Sequence, residues 1–197
     1  MFAEWIADFD MKCFAFFGGM QSDFLTKAAN LFSLDNHVVL IVGAVLLAVL
    51  CLLPKTRRIG LALVFAIAVG YLLTDGIIKP LVGRVRPYAA LQNNALFREW
   101  YQNVGIQTRS SYSFPSGHTT TFSAVATVLL LFHAASDRTP AKAVAWIFPV
   151  IAILSGCSRV YLMVHYATDV IGGLLIGALT GIGGYLLFTR LKYREKG

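Results

Sequence analysis

Charge is scarce in this chain of 197 residues: Asp, Glu, Lys and Arg make up 14% of it, apolar residues 57%, and mean hydropathy is +0.66. An ordinary soluble domain carries about a quarter charged residues, so the composition excludes that class and points to a membrane protein. Cysteine is short as well. Cys13, Cys51 and Cys157 are scattered, odd in number and without metal-ligand spacing, which suggests neither a disulfide framework nor a zinc site. The opening stretch "MFAEWIADFDMK" has three acids and lacks a basic n-region, which argues against a cleaved signal peptide. The sequence also lacks one concentrated basic patch. Its formal charge of +7 is divided among short loops, so membrane topology explains the charge better than nucleic-acid binding does.

What is abundant is apolar sequence in long runs. Five segments are expected to span a bilayer: 37–54, 59–78, 119–135, 143–163 and 167–189, each limited by charge, Pro or polar residues. Residues 4–34 mix Trp5, Phe9, Phe14 and Phe24 with Glu4, Asp8, Asp10 and Lys27. That is too charged for an ordinary span and reads as an amphipathic helix at the interface, or a sixth helix. No separate soluble domain fits in the remainder. The expected architecture is therefore all-α, one integral membrane domain over 1–197 built as a multi-span helix bundle. Loops 55–58 (Lys55, Arg57, Arg58) and 136–142 (Arg138, Lys142) and the tail (Arg190, Lys192, Arg194, Lys196) fall on one side and hold nine of the 17 basic residues. The positive-inside rule then puts the C-terminus in the cytoplasm and the long loop 79–118 outside. In the last span Gly173, Gly177 and Gly181 recur every four residues, a pattern for close helix packing in lipid.

Ionisable groups at membrane depth are costly, so the few present each need an account. In "SRVYLMVHYATD", 158–169, Asp169 lies four residues after His165. On one helix face the acid would accept the imidazole N–H, fix the tautomer and free the other nitrogen. Arg159, across a short turn, suits a phosphate; taken alone, the stretch is as well explained by an interfacial Arg and a helix-capping His–Asp pair. In "SFPSGH", Pro115, Ser116, Gly117 and His118 would open the third span, and a helix N-terminus there presents N–H groups to an anion. In "KPLVGRVRP", 79–87, Asp75 would hold Lys79, Arg86 is a second cation, and Arg84 reads as a snorkelling residue beneath headgroups. The three segments deliver Lys79, Arg86, Ser116, Gly117, His118, Arg159, His165 and Asp169 to one membrane face. Three cations and a helix N-terminus describe an oxyanion site; two histidines, one backed by an acid, describe a nucleophile and a proton donor. With no carboxylate cluster to hold magnesium, the protein's own cations would take the metal's place, and no cofactor is expected.

Lys79-x6-Arg86-Pro87, Pro115-Ser116-Gly117-His118 and Ser158-Arg159-x5-His165-x3-Asp169 match, in order and without departure, the three-part signature of the phosphatidic acid phosphatase type 2 superfamily, which this chain resembles. The resemblance implies an all-helical, metal-independent lipid phosphatase. His165 would attack phosphorus and Asp169 would orient it. His118 would protonate the leaving oxygen and then activate water. Lys79, Arg86, Arg159, Ser116 and the Gly117 amide would hold the phosphate. The expected partners are the bilayer and a membrane lipid phosphate, of the undecaprenyl pyrophosphate or phosphatidylglycerophosphate type, at the extracytoplasmic face. The sequence leaves oligomeric state open and does not separate hydrolysis from phosphoryl transfer to another lipid. A non-enzymatic transporter fits less well, because the span interiors are nearly uncharged. His37 and His133 read as interfacial, Trp5, Trp100, Trp146 and Tyr101 as interface anchors, and the loop 88–112 as a headgroup entrance whose Phe97, Trp100 and Tyr101 touch lipid.

Overall fold

A computed structural model describes residues 2–33, 37–108, 110–135 and 146–190, and in these every regular element is helical. Helix α1 is Phe2–Gly19, α2 Asp23–Ser33, α3 His37–Leu52 and α4 Arg57–Tyr71. Helix α4 widens into a π-helical stretch, Leu72–Ile78, and resumes as α5, Lys79–Val82. Two short helices follow, α6 Pro87–Ala90 and α7 Ala95–Asn103, then α8 Gly117–Ala134, α9 Ile147–Tyr161 and α10 Ala167–Arg190.

Two stretches are long and apolar enough to cross a membrane, Arg57–Ala90 and Ala167–Thr189, each containing an 18-residue segment whose mean hydropathy is 2.2 and 1.9 respectively. Ile41–Leu52 and Ile147–Tyr161 are shorter apolar helices, so the expected five spans are met in part. Outward-facing side chains are large and apolar, among them Ile41, Val45 and Leu46 on α3, Val150 and Ile153 on α9, and Leu175 and Leu179 on α10. Charged and polar side chains are instead held inside, beside the apolar core: Lys79, Arg86, Arg159, His165 and Asp169 are all buried. That arrangement suits a bundle whose outside faces lipid.

Helix α10 is the centrepost, packed on α8 and α4. The glycine repeat makes this possible. A Cβ at Gly177 would lie 2.3 Å from the Thr120 carbonyl oxygen, one at Gly173 2.7 Å from that of Ser116, and one at Gly181 2.9 Å from that of Ala124. Hydrogen at these positions lets the two backbones touch. Gly184 does the same toward α4, where a Cβ would meet the Ala62 carbonyl oxygen at 2.6 Å.

The N-terminal stretch is two helices, with a break at residues 20–22, and not one. Both pack on the end of the bundle that carries the α9–α10 turn. Phe14 and Phe97 are fully buried there, edge to face at 5.0 Å between centroids, and burial of each contributes about 1.5–3 kcal/mol. The 88–112 loop thus holds a helix, α7, capped by the Asn94 side chain accepting from Phe97 N at 3.0 Å. Phe97 and Tyr101 are core residues and not lipid contacts: Tyr101 stacks on Tyr88 and its hydroxyl donates to the Gln107 carbonyl at 2.7 Å. Trp5 and Trp146 are exposed, as interface anchors would be. His133 sits in the last turn of α8, its Nδ1 2.8 Å from the Leu129 carbonyl. Arg138, Lys142, Lys192, Arg194 and Lys196, together with the His37 and Arg190 side chains, lie outside the described residues.

Candidate active site

Helix α9 ends at Tyr161, and residues 162–166 turn the chain into α10. The Arg159 carbonyl accepts from both Val164 N (3.2 Å) and His165 N (3.3 Å), and Met163 takes a left-handed φ of 58° to tighten the turn. This turn delivers His165, 2% exposed, to the start of α10, one helical turn before Asp169, which is fully buried.

The hydrogen bonds around His165 determine its tautomer. Nδ1 is 3.2 Å from Asp169 Oδ2, and Nε2 is 3.2 Å from Arg86 Nη1. A carboxylate only accepts and a guanidinium only donates, so the neutral ring carries its proton on Nδ1 and its lone pair on Nε2. Burial pushes the imidazole down from 6.5 to about 4; the Asp169 bond opposes that shift, and the Arg86 and Arg159 charges reinforce it. The ring is therefore neutral near pH 7.

Arg86 is built in. Gly83, at φ +61°, ends α5 by a left-handed cap, which turns the following residues back over the bundle end. Arg86 Nε then donates to the Ser111 carbonyl (2.8 Å), Nη2 to Ser111 Oγ (2.9 Å) and Nη1 to the Val164 carbonyl (3.1 Å). Arg159 is 1% exposed on the last turn of α9 and acts electrostatically on His165.

The second part of the site is the start of α8. Ser116 caps the helix: Thr119 N (3.4 Å) and Thr119 Oγ1 (2.9 Å) donate to its Oγ. Gly117 opens the first turn, followed by the half-buried His118. A Cβ on Gly117 would sit 3.0 Å from Asp75 Oδ2 and 3.6 Å from Lys79 Nζ. Lys79 is itself buried and paired with Asp75 Oδ1 at 2.5 Å, and Thr74 Oγ1 reaches Asp75 Oδ2 at 3.0 Å. The π-helical stretch thus brings an ammonium to a helix N-terminus bare of side chain, a setting for an anion. Ser116 N donates to the Asp169 carbonyl at 3.0 Å and ties the two parts together.

Arg84 is not a snorkelling residue. Its Nη1 donates to Asp169 Oδ1 (2.6 Å) and Thr168 Oγ1 (2.8 Å), its Nη2 to Asp10 Oδ2 (2.7 Å), and its Cζ lies 3.8 Å from the Tyr166 ring centroid. Asp169 Oδ2 also accepts from Tyr166 N at 3.0 Å and from Ser113 Oγ. None of Arg84, Asp10, Ser111 and Ser113 reads as a site residue from the sequence, where Arg84 reads as a snorkelling residue and Asp10 as one charge of an interfacial helix. For Asp10 a signal existed: it lies in register i, i+4, i+7 with Phe14 and Phe17, an acid on the apolar face of α1.

A family model described as the PAP2 superfamily matches residues 59–193. Over 94 residues the chain is 40% identical to phosphatidylglycerophosphatase B of Bacillus subtilis, covering 44% of this chain and 46% of that protein. It is 33% identical over 132 residues to an undecaprenyl-diphosphatase of Sulfolobus acidocaldarius, covering 66% of this chain and 56% of that one. The chain thus spans about half the length of these two relatives. Its structure superposes on the crystal structure of a transmembrane PAP2-type phosphatidylglycerolphosphate phosphatase from Bacillus subtilis with a TM-score of 0.68, at 28% identity, covering 94% of this chain and 85% of that one.

Proposed function

Because this chain belongs to the PAP2 superfamily, we propose that it is a membrane lipid phosphatase that hydrolyses a lipid phosphate or pyrophosphate without a metal, through a phosphohistidine. The observation that carries this is the tautomer of His165, held by Asp169 so that the Nε2 lone pair is the reactive one.

Phosphorus chemistry of this kind depends on positioning and charge stabilisation. In the resting site Nε2 accepts from Arg86. An arriving phosphoryl oxygen draws that N–H to itself, which frees the lone pair and fastens the anion in one movement. Arg159, Lys79, the Ser116 hydroxyl and the Gly117 amide take the remaining charge. Nε2 then bonds to phosphorus while the bond from phosphorus to the lipid oxygen breaks, and that oxygen receives a proton from the His118 imidazolium. The phosphorylated ring keeps its Nδ1 proton and becomes cationic, a state the Asp169 carboxylate favours. In the second half His118 removes a proton from water, the hydroxide attacks phosphorus, and the P–N bond breaks to release inorganic phosphate and free His165.

The substrate class follows the names of the relatives, one a phosphatidylglycerophosphatase and one an undecaprenyl-diphosphatase. Both readings share a phosphorylated lipid at the extracytoplasmic face, with five helices crossing the bilayer and the C-terminus in the cytoplasm. Gathering of the buried charged side chains Lys79, Arg86, Arg159 and Asp169 at one end of the bundle supports surface chemistry over a transport pathway. The purified protein should release phosphate from one of these lipids in the presence of EDTA, and His165→Ala should abolish release. Turnover in that variant would sink the mechanism. A donor lipid labelled in its phosphate, offered together with an unlabelled lipid acceptor, distinguishes hydrolysis from transfer: label in water-soluble phosphate supports the hydrolase, label in the acceptor lipid the transferase.

A further inference from the structure

Asp10, on the N-terminal helix, is 1% exposed and makes four polar contacts with two residues. Its Oδ1 accepts from Thr168 N at 2.9 Å and is 3.1 Å from Thr168 Oγ1; its Oδ2 lies 2.8 Å from Thr168 Oγ1 and accepts from Arg84 Nη2 at 2.7 Å. Arg84 spans from there to Asp169 Oδ1, the carboxylate oxygen that His165 does not use. A chain of charges therefore runs Asp10, Arg84, Asp169, His165.

We propose that Asp10 and Arg84 are positioning residues for the nucleophile: Arg84 fixes the Asp169 carboxylate, and Asp10 cancels the charge that Arg84 brings. This inference rests on His165 being the nucleophile. A carboxylate gripped by a guanidinium alone is a neutral pair and does little for a ring that must turn cationic. With Asp10 included, the group Asp10–Arg84–Asp169 has a net charge of −1, as a lone Asp169 would. His165 needs it, because Arg86, 3.2 Å from Nε2, and the Arg159 charge from α9 both disfavour a cationic ring. Lys79, held by Asp75, and His118 stand on the α8 side of the site. Cys13 on α1 and Tyr166, whose ring centroid lies 3.8 Å from Arg84 Cζ, are further titratable neighbours of this chain of charges. The N-terminal helix thus belongs to the catalytic apparatus and is not only a membrane-surface element.

The charge count gives opposite signs for the two single substitutions. Asp10→Asn leaves a net charge of 0 beside His165, so protonating the ring becomes harder and the acid limb of kcat/KM moves to lower pH. Arg84→Gln leaves −2 and moves that limb to higher pH. The double variant returns to −1 and to the wild-type position, a non-additivity that independent structural damage does not produce. In addition, Asp10→Asn should lower kcat about 10-fold or more at unchanged KM, by analogy with the partners that orient ligating histidines, and Asp10→Glu should recover most of it.

The test is the pH profile of phosphate release from phosphatidylglycerophosphate in mixed micelles, with the full chain as wild type, Asp10→Asn, Arg84→Gln and the double variant, and His165→Ala as control. Shifts of opposite sign that cancel in the double variant support the proposal; limbs that stay put, or that move together, overturn it. If Asp10→Asn does not fold, Arg84→Gln must still raise the limb, and a limb at its wild-type position overturns the proposal. Turnover by His165→Ala would instead overturn the functional reading; a dead His165→Ala with unmoved limbs overturns only this inference.

Discussion

The backbone N–H of Ser116 donates to the backbone carbonyl of Asp169 at 3.0 Å, joining the N-termini of the two helices that carry the candidate phosphate cradle and the carboxylate behind His165. The spacing of the two helices along their length is therefore part of the site's geometry. Gly177, two turns below, has no room for even a methyl group, since a Cβ would lie 2.3 Å from the Thr120 carbonyl oxygen. Gly177→Ala should cost about 1–3 kcal/mol through backbone displacement. Thermal unfolding in detergent should show a lower Tm, and kcat per folded molecule should fall with it; an unchanged Tm would mean the helices part without strain.

Gly117→Ala probes the cradle itself. The added carbon would press on Asp75 Oδ2 at 3.0 Å and stand 3.6 Å from Lys79 Nζ, where the phosphate is proposed to bind. Losing one charge-assisted contact is worth about 1.5–3 kcal/mol, so KM, and Ki for inorganic phosphate, should rise by about 10-fold or more. Equal inhibition by phosphate in both proteins would place the anion elsewhere.

Asp169→Asn should be severe for a geometric reason. Oδ1 accepts from Arg84, while Oδ2 accepts from His165, Tyr166 N and Ser113, so either orientation of the amide turns its NH2 onto a donor. By comparison with the loss of tautomer control in a serine-protease triad, kcat should fall about a thousand-fold or more. A variant within ten-fold of wild type would show that Asp169 does not set the His165 tautomer.

The pH dependence follows from burial of His165. Its imidazole is pushed down to about 4, so the neutral ring that the proposed mechanism requires persists as pH falls through 6.5, and kcat/KM should hold until pH approaches 4. Stability has the same sign. In that window the unfolded chain binds a proton on this residue that the folded one refuses, so the contribution is full above about 6.5 and lost toward 4. Parallel rate and unfolding profiles from pH 4 to 8 check both; a half-maximal kcat/KM near pH 6.5 would contradict the burial.

Much of this arrangement is legible in the sequence because it is local. The last span and its glycine repeat depend on hydropathy and a four-residue period, and the His165–Asp169 pair on a single helical turn. What escaped is what folding alone brings together. Asp10 lies 158 positions from Thr168, and an acid in a short amphipathic helix looks solvated until its partner is seen. Arg84 follows Gly83, whose left-handed cap reverses the chain and carries the side chain inward, where a helical continuation would have left it among headgroups. Phe97 and Tyr101 read as lipid contacts because they are aromatic residues in a loop expected at the headgroups; Phe97 is covered by Phe14 of α1, which arrives from elsewhere in the chain, and Tyr101 stacks on Tyr88.

The central claim is that His165 forms a covalent bond to phosphorus. The most direct measurement incubates the protein with a lipid carrying radiolabelled phosphate, quenches in base and maps the label by peptide mass spectrometry. Acid-labile, base-stable phosphate on His165, absent from His165→Ala, is the predicted result. Full turnover with no labelled protein, or label on any other residue, would contradict it.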